Sequence, residues 1–561
     1  MRRTMLVVAP LLAWMLWAAL TLPPAARVLD APPTGAWPTV RGAYHMHSRA
    51  SDGTGTVEDI ARAAAAAGLQ FVIVTDHGNA TATTGAPRYV AGVLCLEAVE
   101  ISTADGHYAA LGLTPPPYPL AGEGRDVAQD VARLGGFGIA AHPDSAKDTL
   151  QWRAWDVLVD GMEWFNADSQ WRDESRWRLL PAMLQYPVRP AETVVSLFDR
   201  PVAALAQWDR LTARRRVVGL AAADAHARMG FRGKADPYDE SLYVSLPSYE
   251  SVFRAFSMRV ELEAPLSGDA TRDASLLLDA IRNGHLYSSF DGIAGPAVVD
   301  FTASIGEDRV RQGGWLLGGN VRFRATANVP PGGSLVLLRN GEEVEQVNGP
   351  VLTYTSERPG AYRLEARIPG APGTPPLPWV VSNPIYVGAE YASPEPHAGG
   401  QPANQDPDWL ADIWHIEKDP ASTGAFRNTE AADSAGREFS FQLASSGASP
   451  FVALVTDDAG GVREAARLSF RARASRPMRI SVQARCDRGA GEAGRWLRSV
   501  YLDAMPRDIT VELSDMRVAG TGARTPIATG AITSILFVYD TTNARPGDGG
   551  RVWIEHLRTG R

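Results

Sequence analysis

The chain has 561 residues, which is too long for one compact core and predicts two to four domains. Its apolar content of 45% and charged content of 21% are those of an ordinary folded protein and exclude a disordered chain. The formal net charge of −8 argues against broad binding to nucleic acid or anionic membranes. Small anionic substrates stay compatible with this charge, because a metal site supplies its own positive charge.

The first 35 residues are predicted to form a secretory signal peptide or a membrane anchor. Arg2 and Arg3 precede an uncharged run of 18 residues, from Met5 to Leu22, which fits a long signal-peptide core or a short anchor. Pro23 and Pro24 blur the cleavage site, and no cysteine follows the run to carry a lipid. The protein is expected to be periplasmic or extracellular, and to contact a membrane only through this segment.

Residues 38–295 alternate strand-like and helix-like segments, a pattern typical of a largely parallel sheet or barrel. The strand-like segments are FVIVTD (71–76), HYAALGL (107–113), GFGIAAHP (136–143) and RVVGLAAADAH (216–226). Thr56 and Asp59 have the spacing of a helix capping box, and residues 124–136 have the pattern of an amphipathic helix. In such folds the loops at the carboxyl ends of the strands carry the site.

Two β-rich regions follow. Residues 296–390 consist of short alternating runs separated by Gly, Pro and Asn, and predict an immunoglobulin-like β-sandwich. Residues 391–408 are predicted to be a linker, and residues 409–561 a second, larger sandwich similar to galactose-binding-like domains. Glycan contact through the last domain is one interpretation, and packing or spacing alone is the other. Cys95 and Cys486 lie in separate domains and are not expected to form a disulfide.

Histidines cluster at predicted strand ends of the first domain. Six of the ten in the chain lie there: His45, His47, His77, His107, His142 and His226. A strand turns residues two apart to the same face, so His45 and His47 should converge, as should Asp224 and His226. Imidazoles and carboxylates without a thiolate suit zinc, manganese or ferrous iron. The pattern therefore predicts a metal site.

The motifs that carry these residues resemble those of the PHP (polymerase and histidinol phosphatase) superfamily of metal-dependent hydrolases. In chain order they are HMHSRASDG, TDHGN, EIS followed by GHYAALG, AAHP and DAH. The resemblance covers roughly residues 40–295 and is nearest to exported, carbaryl-hydrolase-like members with appended β-domains. It implies a distorted (β/α)7 barrel with two or three divalent metal ions at the mouth.

The resemblance also implies which residues bind each metal. The ligand sets are His45, His47, Glu100 and Asp224 for the first metal, Asp52, His77 and His226 for the second, and His107, His142 and a bridging Glu100 for the third. Glu100 is preferred to Glu97 because EIS ahead of GH is the family spacing. Asp52 stands where some members have histidine. The residues expected to take part in catalysis are Asp52, His77, Glu100 and Asp224.

Neighbouring residues are candidates for substrate binding or for support. Asn166 and Arg228 are predicted to bind substrate; the alternatives are a strand-end turn for the pair of Glu163 and Asn166, and a solvated surface position for Arg228. Asp76 is expected to orient a metal ligand. His285 is expected to be structural.

These features predict an exported metal-dependent hydrolase, with a phosphoesterase favoured. Two bridged cations lower the pKa of a shared water, which becomes the nucleophile for a phosphate ester. Hydrolysis of an amide, carbamate or carboxyl ester on the same metals is the alternative. A second alternative is an envelope protein that binds glycan or protein and has an inactive barrel, although the intact ligand set counts against it. The expected substrate is a small-molecule ester, and no nucleic acid is expected.

Residues 1–40 fused to a reporter should deliver it outside the cytoplasm or to the outer face of the membrane, because a charge-free run follows Arg2 and Arg3. Fractionation and protease protection of the fusion would measure this. A reporter that stays soluble in the cytoplasm would contradict the prediction.

Overall fold

The structure is a computed structural model, and it describes residues 14, 16–17, 20–30, 37–82, 84–230, 243–391, 409, 413–431, 434–447, 449–457, 460, 462–487, 493–520 and 525–561. Most of the predicted N-terminal segment, and all of the predicted linker except Tyr391, lie outside these residues. Within the described part of the chain, no helix is long and apolar enough to cross a membrane.

The first domain contains both strands and helices, with four helices in succession between β9 and β10 and no helix among the described residues between β3 and β7. The strands are β1 (Arg27–Val28), β2 (Thr39–Met46), β3 (Phe71–Val74), β4 (Arg88–Val90), β5 (Val93–Glu97), β6 (Val99–Thr103), β7 (Gly106–Leu111), β8 (Phe137–Ala140), β9 (Gly161–Asn166), β10 (Val218–Ala225), β11 (Met229–Gly230), β12 (Tyr243–Val244), β13 (Ser257–Glu261), β14 (Leu286–Ser289) and β15 (Ala294–Gly295). The helices are α1 (Val57–Ala66), α2 (Gly124–Arg133), α3 (Ala167–Arg172), α4 (Arg176–Gln185), α5 (Pro190–Ser196), α6 (Val202–Thr212), α7 (Tyr249–Ala255) and α8 (Ala270–Arg282). The predicted capping box of Thr56 and Asp59 is present at the start of α1.

A closed, mostly parallel barrel forms the centre of this domain. The parallel pairs are β2–β3, β3–β5, β8–β9, β9–β10 and β10–β2, and β7 pairs antiparallel with β6 and β8. Within the described residues, a loop and β4 rather than a helix follow β3, and a loop follows β8. A barrel followed by β-sheet domains is therefore confirmed, while the count of seven β/α units stays a prediction.

Both faces of the barrel strands are apolar, which accounts for unbroken runs such as FVIV. Phe71 and Ile73 pack in one core cluster with Tyr44, and Val72 and Val74 belong to a second cluster on the other face. Strands covered on both faces have no need of alternating polar residues. Polar side chains enter at the carboxyl ends, where the apolar runs stop.

The second domain is a β-sandwich joined to the barrel sheet. Its strands are β16 (Val299–Ile305), β17 (Asp308–Arg311), β18 (Trp315–Leu316), β19 (Val321–Ala327), β20 (Ser334–Arg339), β21 (Glu342–Asn348), β22 (Val351–Ser356), β23 (Gly360–Arg367), β24 (Val380–Ser382) and β25 (Ile385–Val387). One sheet has the order β17-β16-β19-β22. The other connects to the barrel, because β13 pairs with β2, β14 with β13, and β24 with β14.

The last domain is a sandwich of two larger antiparallel sheets. Its strands are β26 (Trp414–Lys418), β27 (Thr423–Ala431), β28 (Ser434–Gln442), β29 (Phe451–Thr456), β30 (Arg467–Ala474), β31 (Met478–Asp487), β32 (Ala493–Leu502), β33 (Arg507–Glu512), β34 (Arg517–Val518), β35 (Ile532–Asp540) and β36 (Gly549–Gly560). The sheet orders are β26-β29-β35-β31-β32-β34 and β27-β28-β36-β30-β33. Cys486 lies in this core and Cys95 lies in the barrel; both are buried, and neither forms a disulfide within the described residues.

Buried ion pairs dock the last domain onto α2. Nε of Arg479, in β31, donates to Oδ2 of Asp130 at 2.8 Å, and its Nη1 lies 3.2 Å from Oδ1 of Asp126. Arg498 donates to the same Asp126 oxygen at 2.5 Å, and Arg517 pairs with Asp105. The sequence predicted an amphipathic α2, and the structure shows that part of its polar face is covered by another domain.

Replacement of Arg479 by alanine should destabilise the protein by up to about 3–5 kcal/mol, because Asp126 and Asp130 lose the buried cation that they share and keep only Arg498 and Arg133 as partners. Denaturant unfolding would measure the change. Arg471→Ala is the matched control: Arg471 forms a half-exposed pair with Asp508 at 3.7 Å, and its loss should cost about 0–1 kcal/mol. Equal stability of the two variants would contradict the docking contact.

Candidate metal centre

The nine predicted metal ligands come together at the end of the barrel where the parallel strands β2, β3, β8 and β10 terminate, and Glu100 and His107 reach it from near the amino ends of β6 and β7. They lie in β2 or just after it (His45, His47, Asp52), after β3 (His77), in β6 and β7 (Glu100, His107), after β8 (His142), and in β10 or just after it (Asp224, His226). Glu97 lies apart from them, where its carboxylate accepts hydrogen bonds from Arg88 at 2.6 Å and from the Gly85 amide at 2.6 Å.

Glu100 lies at the centre of the cluster and is fully buried. Its Oε1 is 2.8 Å from Nδ1 of His107 and 2.7 Å from Nε2 of His142. Its Oε2 is 3.2 Å from Nε2 of both His45 and His47. The two carboxylate oxygens therefore face different sets of imidazoles, as those of a bridging carboxylate would.

Asp224 completes the set proposed for the first metal. Its Oδ1 lies 3.4 Å from Nε2 of His45 and 3.3 Å from Nε2 of His47. Ligand atoms about 2.0–2.2 Å from one ion are separated by about 3.0–3.5 Å when they subtend 90–110° at it. The spacing of these donors therefore fits a single cation between them.

The set proposed for the second metal is less buried. Oδ2 of Asp52 lies 3.3 Å from Nε2 of His226 and 3.8 Å from Nε2 of His77. Nδ1 of His77 is buried without a hydrogen bond and lies 3.3 Å from Oε2 of Glu100. An unpartnered buried nitrogen beside a carboxylate oxygen suits a cation ligand.

Four groups of donors have ligand atoms within 4.8 Å of one another, and these groups overlap. They are His47, Asp52, His77 and His226; His45, His47 and Asp224; His45, Glu100 and His142; and His77, Glu100 and His107. The ligands thus cluster as expected. His45, His47, His77 and Glu100 each belong to two groups, and the assignment of individual donors to three metals stays a prediction.

The backbone is strained at three of these ligands, and this strain helps to orient their side chains. φ is +63° at His45, +29° at His142 and +44° at Asp224, in the left-handed region that favours glycine. The β10–β2 register also shifts between Ala222 and Ala225. Regular strand alternation was expected to bring these ligands together. Instead, the ligands converge from distorted strand ends. The distortion costs about 1–3 kcal/mol per strained residue.

Glu163 supports the cluster from behind. Its Oε1 lies 2.6 Å from Nδ1 of His45, so Nε2 of that ring faces the other ligands. Its Oε2 accepts hydrogen bonds from the His142 amide at 2.7 Å and from Nδ2 of Asn166 at 2.9 Å. Nδ2 of Asn166 also donates to Asp224 at 3.1 Å, and its Oδ1 caps α3. These contacts give Asn166 a positioning role, and they do not support the predicted role in substrate binding.

Asp76 organises the loop that carries Asp52. Its carboxylate accepts hydrogen bonds from the Ser48 amide at 2.7 Å, from the Ser48 hydroxyl at 2.6 Å and from the Ser51 hydroxyl at 2.6 Å. Asp76 therefore orients the ligand loop through two serines rather than by contacting a ligand directly.

The carboxylates of the cluster favour positive charge on their neighbours. Burial by itself would lower the pKa of His45, but Asp224, Glu163 and Glu100 outweigh it and hold that pKa well above its usual value. In His47, burial is likewise outweighed by hydrogen bonds to Asp224 and Glu100, and the pKa rises to about 10. Burial lowers the pKa of His77 to about 4. Divalent cations would supply this positive charge. His77 can bind such a cation because its imidazole is neutral.

Sequence reasoning missed Arg172, at the end of α3. It pairs with Asp168, which raises the pKa of its guanidinium, and the charges of Asp224 and Asp52 raise this pKa further. Asp168 also lines a cleft beside Asp224 together with Arg228, the other arginine near the site. No motif singles out Arg172 in the sequence; only the fold brings it near the ligands.

Residues 43–104 match the family model of the PHP domain. This stretch includes the first three motifs up to EIS, so the match agrees with the predicted resemblance to the PHP superfamily over these residues. The nearer resemblance to carbaryl hydrolases stays a prediction. No curated protein matches the chain.

Two solved structures show weak likeness to this chain. A two-domain protein from Bacteroides vulgatus, containing a predicted PHP-like metal-dependent phosphoesterase, is 14% identical, with 61% of this chain and 95% of that chain covered and a TM-score of 0.28. The family 11 carbohydrate-binding module of the cellulosomal cellulase Lic26A-Cel5E of Clostridium thermocellum is 15% identical, with 28% and 93% covered and a TM-score of 0.23. Structural likeness at such low TM-scores carries no information about the activity of this chain.

Glu163→Gln should weaken metal binding by about 10- to 100-fold, because the substituted amide holds the His45 ring and the His142 amide less firmly than a carboxylate does. Titration calorimetry with zinc or manganese would measure the affinity. Glu97→Gln, which alters a carboxylate outside the cluster, is the control and should bind metal as the parent does. Unchanged affinity in both variants would contradict the supporting role of Glu163.

Proposed function

We propose that the protein is a metal-dependent hydrolase that cleaves a phosphate ester. The observation that carries the proposal is the position of Glu100, whose two buried oxygens lie between imidazoles from four parts of the barrel. A donor set of imidazole and carboxylate without thiolate suits two or three ions of zinc, manganese or iron. Such ions, when bound, activate water and stabilise charge on a leaving oxygen.

The burial of the ligands suggests the side from which substrate approaches. The side chains of His45 and Glu100 are fully buried. The side chains of Asp52 and His226 are 12% exposed and that of His77 is 20% exposed. A substrate would therefore meet the second ligand set first, and the buried residues would hold the cluster from the opposite side.

The arginines near the site favour a phosphate over a neutral ester. Arg228 lines the cleft beside Asp224 and His226. Arg172 lies close enough to the ligands for the charges of Asp224 and Asp52 to act on it. Guanidinium groups match the geometry of phosphate oxygens, whereas a carbamate or carboxyl ester offers no anion for them.

We infer further that this activity lies outside the cytoplasm. The inference rests on the charge-free run from Met5 to Leu22 behind Arg2 and Arg3. The last sandwich is proposed to contact glycan, although one of its sheets already docks on α2 through Arg479.

Asp224→Asn should lower turnover by at least about 100-fold and reduce bound metal, because it keeps the shape of the side chain but removes a charge that faces His45 and His47. Metal analysis and turnover of phosphomonoesters, phosphodiesters and aryl carbamates would be measured together. His285→Ala is the control, since Nδ1 of His285 bonds the Gln312 carbonyl at 2.8 Å, outside the cluster.

The outcomes of this experiment are distinct. Full metal and full activity in Asp224→Asn would refute the site assignment. Turnover of carbamates alone by the parent would replace the phosphoesterase with the other hydrolase. No turnover by a fully metal-loaded parent would favour an inactive barrel.

A further inference from the structure

Helix α4 turns apolar side chains outward. Trp177 is 86% exposed, Leu180 is 57% exposed and Leu184 is 43% exposed. These residues are spaced three and four apart, so they share one face of the helix, whereas Ala182 and Gln185 are buried beneath. A surface helix of a soluble protein normally shows its polar face to water, whereas α4 exposes this apolar face as well as Arg176 and Arg178.

Two described residues of the N-terminal apolar run, Trp14 and Thr21, contact the same helix. Nε1 of Trp14 donates to the Leu184 carbonyl at 3.1 Å, and Nε2 of Gln185 donates to the Thr21 carbonyl at 2.6 Å. Leu20, within the run, is 78% exposed. The exposed residues of the run and of α4 thus adjoin, and we call Leu16, Leu20, Trp177, Leu180 and Leu184 together the apolar edge.

The apolar edge has the composition of a membrane interface. Trp177 is the residue type that favours the headgroup region, and the exposed Arg176 next to it suits anionic headgroups. Leucines on the same face would enter the acyl boundary, as in helices that lie in the interface plane. Two contacts of this kind, the N-terminal run and α4, would fix the orientation of the protein, which a single tether does not.

We propose that the apolar edge, including α4, rests on the surface of a lipid bilayer. A second copy of the chain is the less favoured occupant, because it would leave the 18-residue apolar run of the sequence, whose Trp14 and Thr21 contact α4, without lipid. A groove lined by Trp171, Leu179 and Met183 lies next to α4, and Trp171 also lines the cleft beside Asp224. The groove along α4 and the cleft of the metal centre therefore share Trp171. The proposal does not depend on the bond that the site cleaves.

A fluorophore at residue 180 tests the contact in the full chain. Leu180→Cys would be labelled with an environment-sensitive dye; the two native cysteines are buried and do not compete. Val351→Cys, 45% exposed in β22 of the second domain, is the matched control. Each labelled protein would be reconstituted into vesicles of equal parts phosphatidylcholine and phosphatidylglycerol, and quenching by spin-labelled lipid would be measured.

The expected result is a shift of the dye at residue 180 to shorter wavelength and quenching by the lipid spin label, with neither change at residue 351. A dye at 180 that stays in water while the protein is bound to vesicles would overturn the proposal. So would equal quenching at both positions, or a failure of the full chain to bind vesicles. A shift at 180 without vesicles, in a protein that sediments as a dimer, would assign the face to a second copy and also overturn it.

Discussion

The buried charge of Glu100 is the constraint on which the rest of the first domain depends. A carboxylate that is fully buried must be matched by partners, because leaving a charge unpaired in the interior costs several kcal/mol. Its partners are imidazoles contributed by β2, by the segment after β3, by β7 and by the segment after β8. These elements can contribute together only when the barrel is closed, so the electrostatic requirement and the topology support each other.

The same constraint accounts for the irregular backbone at the strand ends. His45, His142 and Asp224 have positive φ values, which an ordinary strand would not adopt. Glu163 holds the first two of these residues through the His45 ring and the His142 amide, and Asn166 links Glu163 to Asp224. Buried hydrogen bonds therefore hold these three residues in their strained conformations. Such strain is expected at functional sites, where many surrounding contacts fix the geometry.

The three domains are not independent modules. A continuous sheet runs from β2 through β13 and β14 into the second domain, and Arg479 of the third domain is buried against Asp126 and Asp130 of α2. The barrel contributes groups to both contacts. A change in the second or the third domain would therefore alter the packing of the barrel. The docked sheet of the last sandwich thus has a structural role, whatever its other face binds.

The sequence by itself determined which metal-binding side chains the chain contains and in what order the domains follow. Histidines and carboxylates at the ends of apolar runs, in motifs with family spacing, were sufficient to name Glu100 over Glu97 and to predict a barrel followed by β-domains. Such features are local: each depends on a few neighbouring residues and on the strand period.

Only the tertiary structure decided the features that depend on residues far apart in the chain. The positioning role of Asn166, the nearness of Arg172 to the ligands, the covered polar face of α2 and the exposed apolar face of α4 arise from packing between separate elements. A single sequence shows the polarity of a helix face but not what lies against it. For that reason the amphipathic pattern of α2 did not show that its polar face is docked, and no pattern in the sequence showed that α4 carries apolar side chains on its exposed face.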